Sequence, residues 1–209
     1  MIVAVDGPTA SGKGTIAKAL AEHYGLPHLD TGLLYRAVGV YSVQLGGDPD
    51  IEADALAGCS FAEALLEEPA LRSEAAGGLA SRASRHPAVR AALLARQRDF
   101  ANQPSGAVLD GRDIGTVIAP HADAKLFVTA SIDARARRRY GEMVARGEMV
   151  TLGEISADLA ARDARDAGRS AAPLAQAHDA LLLDTSDLTI EAAVRRAIAL
   201  VDDRIGERG

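Results

Sequence analysis

The residues that could do chemistry begin at position 7. Gly7-Pro8-Thr9-Ala10-Ser11-Gly12-Lys13-Gly14-Thr15 reads G-x-x-x-x-G-K, with a short apolar run at 2–5 before it and an amphipathic stretch after it. A strand, a glycine-rich loop and a helix in that order make an anion cradle. The glycines let the backbone wrap a phosphate, successive N–H groups and the helix N-terminus face it, and Lys13 adds a positive charge at the outer phosphates. The residue after Lys13 is Gly14 and not Ser or Thr, so a hydroxyl for a magnesium ion would have to come from Thr15. The bland alternative is a glycine turn that only caps a helix, which would not need this spacing between these two elements. A phosphate loop leaves open a GTPase, an ATPase motor and a small kinase. No N-K-x-D segment is present to read guanine, and 209 residues leave little room for a motor.

Three further clusters could hold the group that receives the phosphate. Asp30-Thr31-Gly32-Leu33-Leu34-Tyr35-Arg36 follows a predicted strand and opens a helix. Asp30 or Thr31 reads as its N-cap, and Arg36 lies one turn in. Asp110-Gly111-Arg112-Asp113-Ile114-Gly115-Thr116 follows another strand, where a ligand is expected beyond the carboxyl ends of a parallel sheet. In Arg162-Asp163-Ala164-Arg165-Asp166-Ala167-Gly168-Arg169, the residues Arg162, Asp166 and Arg169 fall at i, i+4 and i+7 of a helix that Gly168 and Pro173 terminate. Such ladders are ordinarily solvated faces held by weak pairs, and spacing alone does not aim this one at a site.

The elements that must position these residues follow from patterning. Short apolar runs at 2–5, 26–29, 107–109, 124–128 and 180–183 predict five buried strands, alternating with helical stretches. Ile16, Leu20 and Tyr24 share one helix face, as do Val89, Leu93 and Phe100, and Ile190, Val194, Ile198, Val201 and Ile205 form a closing stripe after a start signal at Thr189. The expected fold is α/β, a three-layer α/β/α core with a five-stranded parallel sheet. Two stretches lie outside the rhythm: an Ala/Glu-rich helical one from about 48 to 85, interrupted by Pro69 and Gly77-Gly78, and an arginine-rich helical one from about 135. One domain is expected, with a core of 1–47, 86–134 and 170–209, an excursion at about 48–85 and a lid at about 135–169.

Composition narrows the partners. The chain carries 23 Lys plus Arg against 29 Asp plus Glu, a net charge of −6, yet 14 of its 20 arginines fall between Arg82 and Arg169. Net acidity with 3% aromatic residues argues against a nucleic-acid binder. No apolar run approaches the roughly 20 residues of a membrane span, and the N-terminus has no signal-peptide pattern. A cytoplasmic location is expected, and Cys59, the single cysteine, agrees with a reducing compartment.

Taken in order, G-P-T-A-S-G-K-G-T, D-T-G-x-x-Y-R, D-G-R-D-I-G-T and R-D-x-R-D-x-x-R resemble the bacterial cytidylate kinase family in its short form, a branch of the P-loop nucleoside monophosphate kinases. Ala80-Ser81, the stretch from His86-Pro87 through Arg90 to Arg98, Ala172-Pro173-Leu174 and Leu183-Asp184-Thr185-Ser186 extend the likeness over most of the chain. Where the family's longer form inserts a small β-rich lobe, this chain carries the Ala/Glu-rich stretch at 50–70. The resemblance implies transfer of the γ-phosphoryl group of ATP to CMP or dCMP with Mg²⁺, giving ADP and CDP or dCDP, by a protein expected to be a monomer. It implies that Gly7 through Thr15 hold the ATP phosphates, Thr15 with Mg²⁺. Thr31, Arg36, Ser81, Arg90, Arg112, Asp113, Arg162, Asp166 and Arg169 match the acceptor site, and residues 135–146 the lid over ATP. Arg36 and Arg112 would face the acceptor phosphate, Ser81, Arg90, Asp113 and Arg169 the cytosine, and Arg162 and Asp166 the ribose. Lys13, Arg36, Arg112, Arg162 and Arg169 are the expected catalytic charges.

The chemistry agrees with that assignment. Cytosine offers an amino donor beside N3 and O2 acceptors, so a carboxylate at Asp113 and a guanidinium at Arg90 would read both, whereas uracil would set a carbonyl against the carboxylate. Phosphoryl transfer to an acceptor that is already anionic needs alignment and charge neutralisation more than a strong base. Arginine suits that task through its planar, permanently charged fork. A P-loop kinase for another monophosphate or a small metabolite such as shikimate would need a different acceptor pocket. A nucleotide sensor would have no use for the acceptor arginines.

Overall fold

The structure, a computed structural model, describes residues 1–169 and 172–207. Ser170, Ala171, Arg208 and Gly209, within the stretch expected to complete the core, lie outside the described residues. The chain divides into two compact units, one of residues 1–29 and 101 onward, the other of residues 30–100. The second unit therefore takes in more chain than the excursion expected at 48–85.

The first unit is built on strands β1 (Ile2–Asp6), β2 (His28–Asp30), β3 (Ala107–Gly111), β4 (Ala124–Thr129) and β5 (Leu181–Asp184), in the order β2-β3-β1-β4-β5. β1 pairs in parallel with β3 and β4, and β4 with β5. Every residue of β3 is buried, as are Val3 through Asp6 of β1, and side chains alternate across a sheet, so both faces of its centre are covered. All five strands fall where apolar runs predict them. β2 starts two residues late because the N–H of Leu26 is used on Ala21 O, 2.9 Å away, to close the preceding helix.

Helices α1 (Lys13–Tyr24) and α8 (Ile190–Gly206) pack on one face through Ile16, Ala17, Leu20 and Ala21 against Val3, Val5 and Val108, and through Ala193, Ala197 and Val201. Tyr24 ties the two helices, its hydroxyl donating to Asp202 at 2.7 Å. The buried stripe of α8 runs one residue out of phase with the predicted one. Its centre is alanine, and Ile190 is 66% exposed. Small side chains let the helix lie close to the sheet, so the bulkier Val194, Ile198 and Ile205 flank the contact. Helices α6 (Ile132–Ala145) and α7 (Leu152–Ala167) share a small core of Ala136, Met143, Ile155 and Leu159. Thr151 and Glu154 start α7 with a reciprocal capping box.

The second unit contains α2 (Thr31–Gln44), α3 (Glu52–Ala57), α4 (Glu74–Ala83) and most of α5 (Pro87–Ala101). Asp30 caps α2, accepting from the N–H of Leu33 at 3.2 Å. Between α3 and α4 lie three 3₁₀ turns, the last opened by Pro69. Gly77 and Gly78 do not interrupt the helix as expected. They lie inside α4, whose cap Ser73 accepts from the N–H of Ala76. Asp50 pairs with Arg82 at 2.7 Å, and Pro49 O meets His86 Nε2 at 2.9 Å, which holds the stretch before α3 against the end of α4.

Candidate active site

Of the residues Gly7 through Thr15, the first six form the turn from β1 into α1, and Lys13, Gly14 and Thr15 open that helix. Gly7 must be glycine for space: a Cβ there would lie 2.0 Å from Val128 O of β4. Gly12, the N-cap of α1, sits at φ 88, a left-handed conformation natural to glycine, and the first turn holds no acidic side chain. The positive end of α1 therefore has no acidic side chain in its own first turn to offset it. Ala10 is also left-handed, at φ 61, which a residue with a Cβ adopts only when its surroundings impose it. Left-handed residues at 10 and 12 give the backbone the concave form in which successive N–H groups converge on an anion. The Ser11 hydroxyl is buried beside Gly7 and has no hydrogen-bond partner.

Around Thr9 the arginines converge. Arg112 Nη2 donates to Thr9 Oγ1 at 2.5 Å, and its Nε donates to Asp166 Oδ2. Arg169, just beyond α7, holds the other oxygen of Asp166. Asp166 is 2% exposed. Burial pushes its carboxyl pKa up, but the charges of Arg112, Arg169 and Lys13, with the Arg112 hydrogen bond, outweigh it and hold the group below its ordinary 3.8. The ladder at 162–169 is therefore no solvated face. Its acid holds Arg112, which touches the loop at Thr9, together with Arg169, and the charge of Lys13 acts on the same carboxylate. Arg162 is buried too, but its Nε lies 2.8 Å from Asp158, one turn back along α7.

Asp113 follows β3 and is 5% exposed. Ile114–Ile118 forms a π-helical turn, with the N–H of Ile118 on Asp113 O and that of Ala119 on Ile114 O. Asp6, at the end of β1, clamps this turn: Oδ1 accepts from Ile114 N and Oδ2 from Gly115 N, both at 2.8 Å. Burial raises the Asp6 pKa from 3.8 to about 7, with the Asp113 charge adding to it and the two N–H bonds and Lys13 opposing it. Asp110, buried at the end of β3, meets His28 Nε2 at 2.8 Å and has Oδ1 3.9 Å from where a Cβ on Gly14 would sit. Among the described residues no group of three or more His, Cys, Asp or Glu could hold a metal alone. Thr15, exposed in the first turn of α1, carries the next hydroxyl along the chain from Gly14.

The remaining predicted residues lie in the second unit. Thr31 is the buried first residue of α2, and Arg36 Nη1 donates to Leu71 O at 2.8 Å and Ser73 O at 2.9 Å. The Arg90 guanidinium stacks 5.4 Å over the Tyr35 ring and reaches Ser84 O. Ser81 is half-buried on α4. The predicted set thus gathers in two groups, one around Thr9 and one on α2, α4 and α5.

The profile of the cytidylate kinase family matches residues 3–203. The chain belongs to the cytidylate kinase family. Proteins named cytidylate kinase from Caulobacter sp., Xanthobacter autotrophicus and Rhodopseudomonas palustris are 56%, 55% and 54% identical to it, over 96%, 98% and 100% of this chain and 94%, 98% and 99% of theirs. A solved structure of an uncharacterized protein from Eubacterium ventriosum, 15% identical, matches with a TM-score of 0.56 over 97% of this chain and 98% of that one, a likeness of fold alone. In this member of the cytidylate kinase family, sequence reasoning passed over Asp6, Asp163 and the carbonyl partners of Arg135. Asp6 had one signal, its place at a strand end directly before the first loop glycine.

Proposed function

We propose that this member of the cytidylate kinase family transfers the γ-phosphoryl group of ATP to CMP or dCMP, releasing ADP and CDP or dCDP. The observation that carries this reading is the junction at Thr9. One residue of a triphosphate-type loop is hydrogen-bonded to Arg112 of the D-G-R-D segment, and Asp166 holds Arg112 together with Arg169. An arginine fixed beside a phosphate loop suits an acceptor that brings its own phosphate, because two anions must be drawn together and neutralised.

In this reading Gly7 through Thr15 bind the ATP phosphates, Lys13 neutralises the outer ones, and Thr15 shares a Mg²⁺ ion with phosphate and water. The ion would supply charge neutralisation at the transferred group. Arg36 and Arg112 orient the acceptor phosphate. Asp113 accepts from the cytosine amino group, Ser81, Arg90 and Arg169 donate around the ring, and Thr31, Arg162 and Asp166 complete the nucleoside contacts. Asp113 lies on a turn whose two N–H groups are clamped by Asp6, which favours a fixed direction for its carboxylate. The protein would work as a monomer in the cytoplasm, on small-molecule substrates without nucleic acid. Among the described residues no helix is long and apolar enough to cross a membrane.

The test is a panel of CMP, dCMP, UMP, AMP and GMP with ATP and Mg²⁺, followed by ADP release. CMP and dCMP should turn over with the highest kcat/KM. Turnover of AMP or UMP as fast as CMP would overturn the cytosine assignment, and no transfer to any monophosphate would leave a nucleotide-binding protein without the activity.

A further inference from the structure

The arginines of α6 were expected at a lid over ATP, yet the first of them faces inward. Arg135 is 3% exposed. Its Nε donates to Ala130 O at 2.9 Å, its Nη1 to Thr9 O at 3.2 Å, and Nη1 and Nη2 grip Asp163 of α7 at 3.0 and 2.6 Å. Two residues along the loop, Ser11 O lies 2.9 Å from the Thr185 hydroxyl, the nearer of two carbonyls its single proton can reach, Thr129 O being at 3.1 Å, and Arg138, one turn after Arg135, donates to that same hydroxyl at 3.0 Å. The outer side of the phosphate loop is therefore held at two carbonyls by groups on or backed by α6.

A trans peptide unit is planar, with its C=O and its N–H pointing in opposite directions, and no peptide bond of the described residues is cis. Fixing Thr9 O directs the N–H of Ala10, and fixing Ser11 O directs the N–H of Gly12. The N–H of Ala10 must then face away from Arg135 and that of Gly12 away from Thr185. We infer that Arg135, and with it Thr185, are positioning residues that lock the Thr9–Ala10 and Ser11–Gly12 peptide planes so that these N–H groups face the ATP phosphates, and that Arg135 does not itself touch ATP. Two observations beyond the hydrogen bonds agree. Ala10 stands in a left-handed conformation that needs outside support, and its methyl packs on the α6–α7 core of Ala136, Met143, Ile155 and Leu159. Asp163 completes the arrangement by fixing the guanidinium plane.

The inference rests on the loop being the ATP phosphate site, and binding measurements separate the two ideas. ATP, inorganic tripolyphosphate and CMP would be titrated calorimetrically into the wild type, Arg135→Lys, Thr185→Val and Thr185→Ser. Lysine keeps the charge but lacks the planar fork that spans Asp163 and Thr9 O. Arg135→Lys should weaken ATP and tripolyphosphate alike, by about tenfold, and leave CMP within about twofold. Thr185→Val should weaken the same two ligands, and Thr185→Ser should restore them. Unchanged ATP affinity in folded Arg135→Lys and Thr185→Val would overturn the lock. So would loss of ATP with tripolyphosphate unaffected, which would mean that Arg135 meets the nucleoside, or an equal loss of all three ligands, which would mean general damage. Should Arg135→Lys not fold, the Thr185 pair decides alone. A wild type that binds neither ATP nor tripolyphosphate would refute the reading of the loop itself, whatever the variants do.

Discussion

Replacing Asp6 with asparagine changes a charge buried at the centre of the sheet and one hydrogen bond, and the two effects separate with pH. In the native protein both carboxylate oxygens accept main-chain N–H bonds of 2.8 Å, from Ile114 and Gly115. Asparagine keeps one acceptor and turns an NH₂ toward the other donor, leaving a buried N–H unpaired at a cost of about 1–3 kcal/mol at any pH. Against this stands the charge. Asp6 is raised from 3.8 in the unfolded chain to about 7 in the fold, chiefly by burial. Between those values the folded protein holds more protons than the unfolded chain, so native stability falls as pH rises through the window and levels off above about 7. At about 1.4 kcal/mol per pKa unit, the ionised carboxylate costs about 4 kcal/mol in full, and about 3 kcal/mol of that develops between about pH 5 and pH 8. The asparagine variant lacks this slope. It should be clearly less stable than wild type at about pH 5, and the gap should close or reverse by about pH 8. Urea unfolding of both proteins across that range, at constant ionic strength, reads the difference, because Asp166 and every other titrating group is common to the two. A stability difference constant within about 0.5 kcal/mol from pH 5 to pH 8 would refute the argument for a carboxyl that ionises near neutrality.

Arg112→Ala should lower CMP turnover by about a hundredfold or more while changing ATP affinity by less than about threefold, since its proposed partner is the acceptor phosphate. Steady-state kinetics with calorimetry would check this, and undiminished turnover would remove Arg112 from the site. Asp113→Asn should erode the preference for CMP over UMP by about tenfold, because an amide can donate to the uracil carbonyl. A kcat/KM ratio that stays put would defeat the account of base reading. Gly39→Ala and Gly78→Ala form a packing pair: a Cβ at Gly39 would lie 2.7 Å from Leu79 Cβ and 2.9 Å from its carbonyl oxygen, whereas one at Gly78 meets nothing within 4 Å. The first should destabilise by about 1–3 kcal/mol by pushing α2 off α4, and the second should be neutral or stabilising by up to about 1 kcal/mol. Urea midpoints that rank the pair the other way would refute that description of α2 on α4.

The parts legible in the sequence are those whose cause is local. β1, β3 and β4 announce themselves because a strand buried on both faces is a continuous apolar run, and the loop at 7–15 because its glycines stand at a fixed spacing between a strand and a helix. Patterning fails where side-chain bulk stands in for proximity, as in α8, whose contact is made by Ala193, Ala197 and Val201 while the larger Ile190 is left in solvent. It fails again where a charge finds its partner far along the chain. Asp163 meets Arg135 across 28 positions, and Asp6 meets the N–H groups of Ile114 and Gly115 across 108 and 109. Arg135 is the sharpest instance, because Arg137, Arg138 and Arg139 follow it and the whole run is expected at a lid over ATP. Its partners are one carboxylate and two carbonyls, and every residue carries a carbonyl, so no residue type marks Thr9 or Ala130 as the ones taken. A charged side chain that acts on the main chain is thus invisible in composition and spacing alike. The same contact, once located, says which way a peptide plane must face.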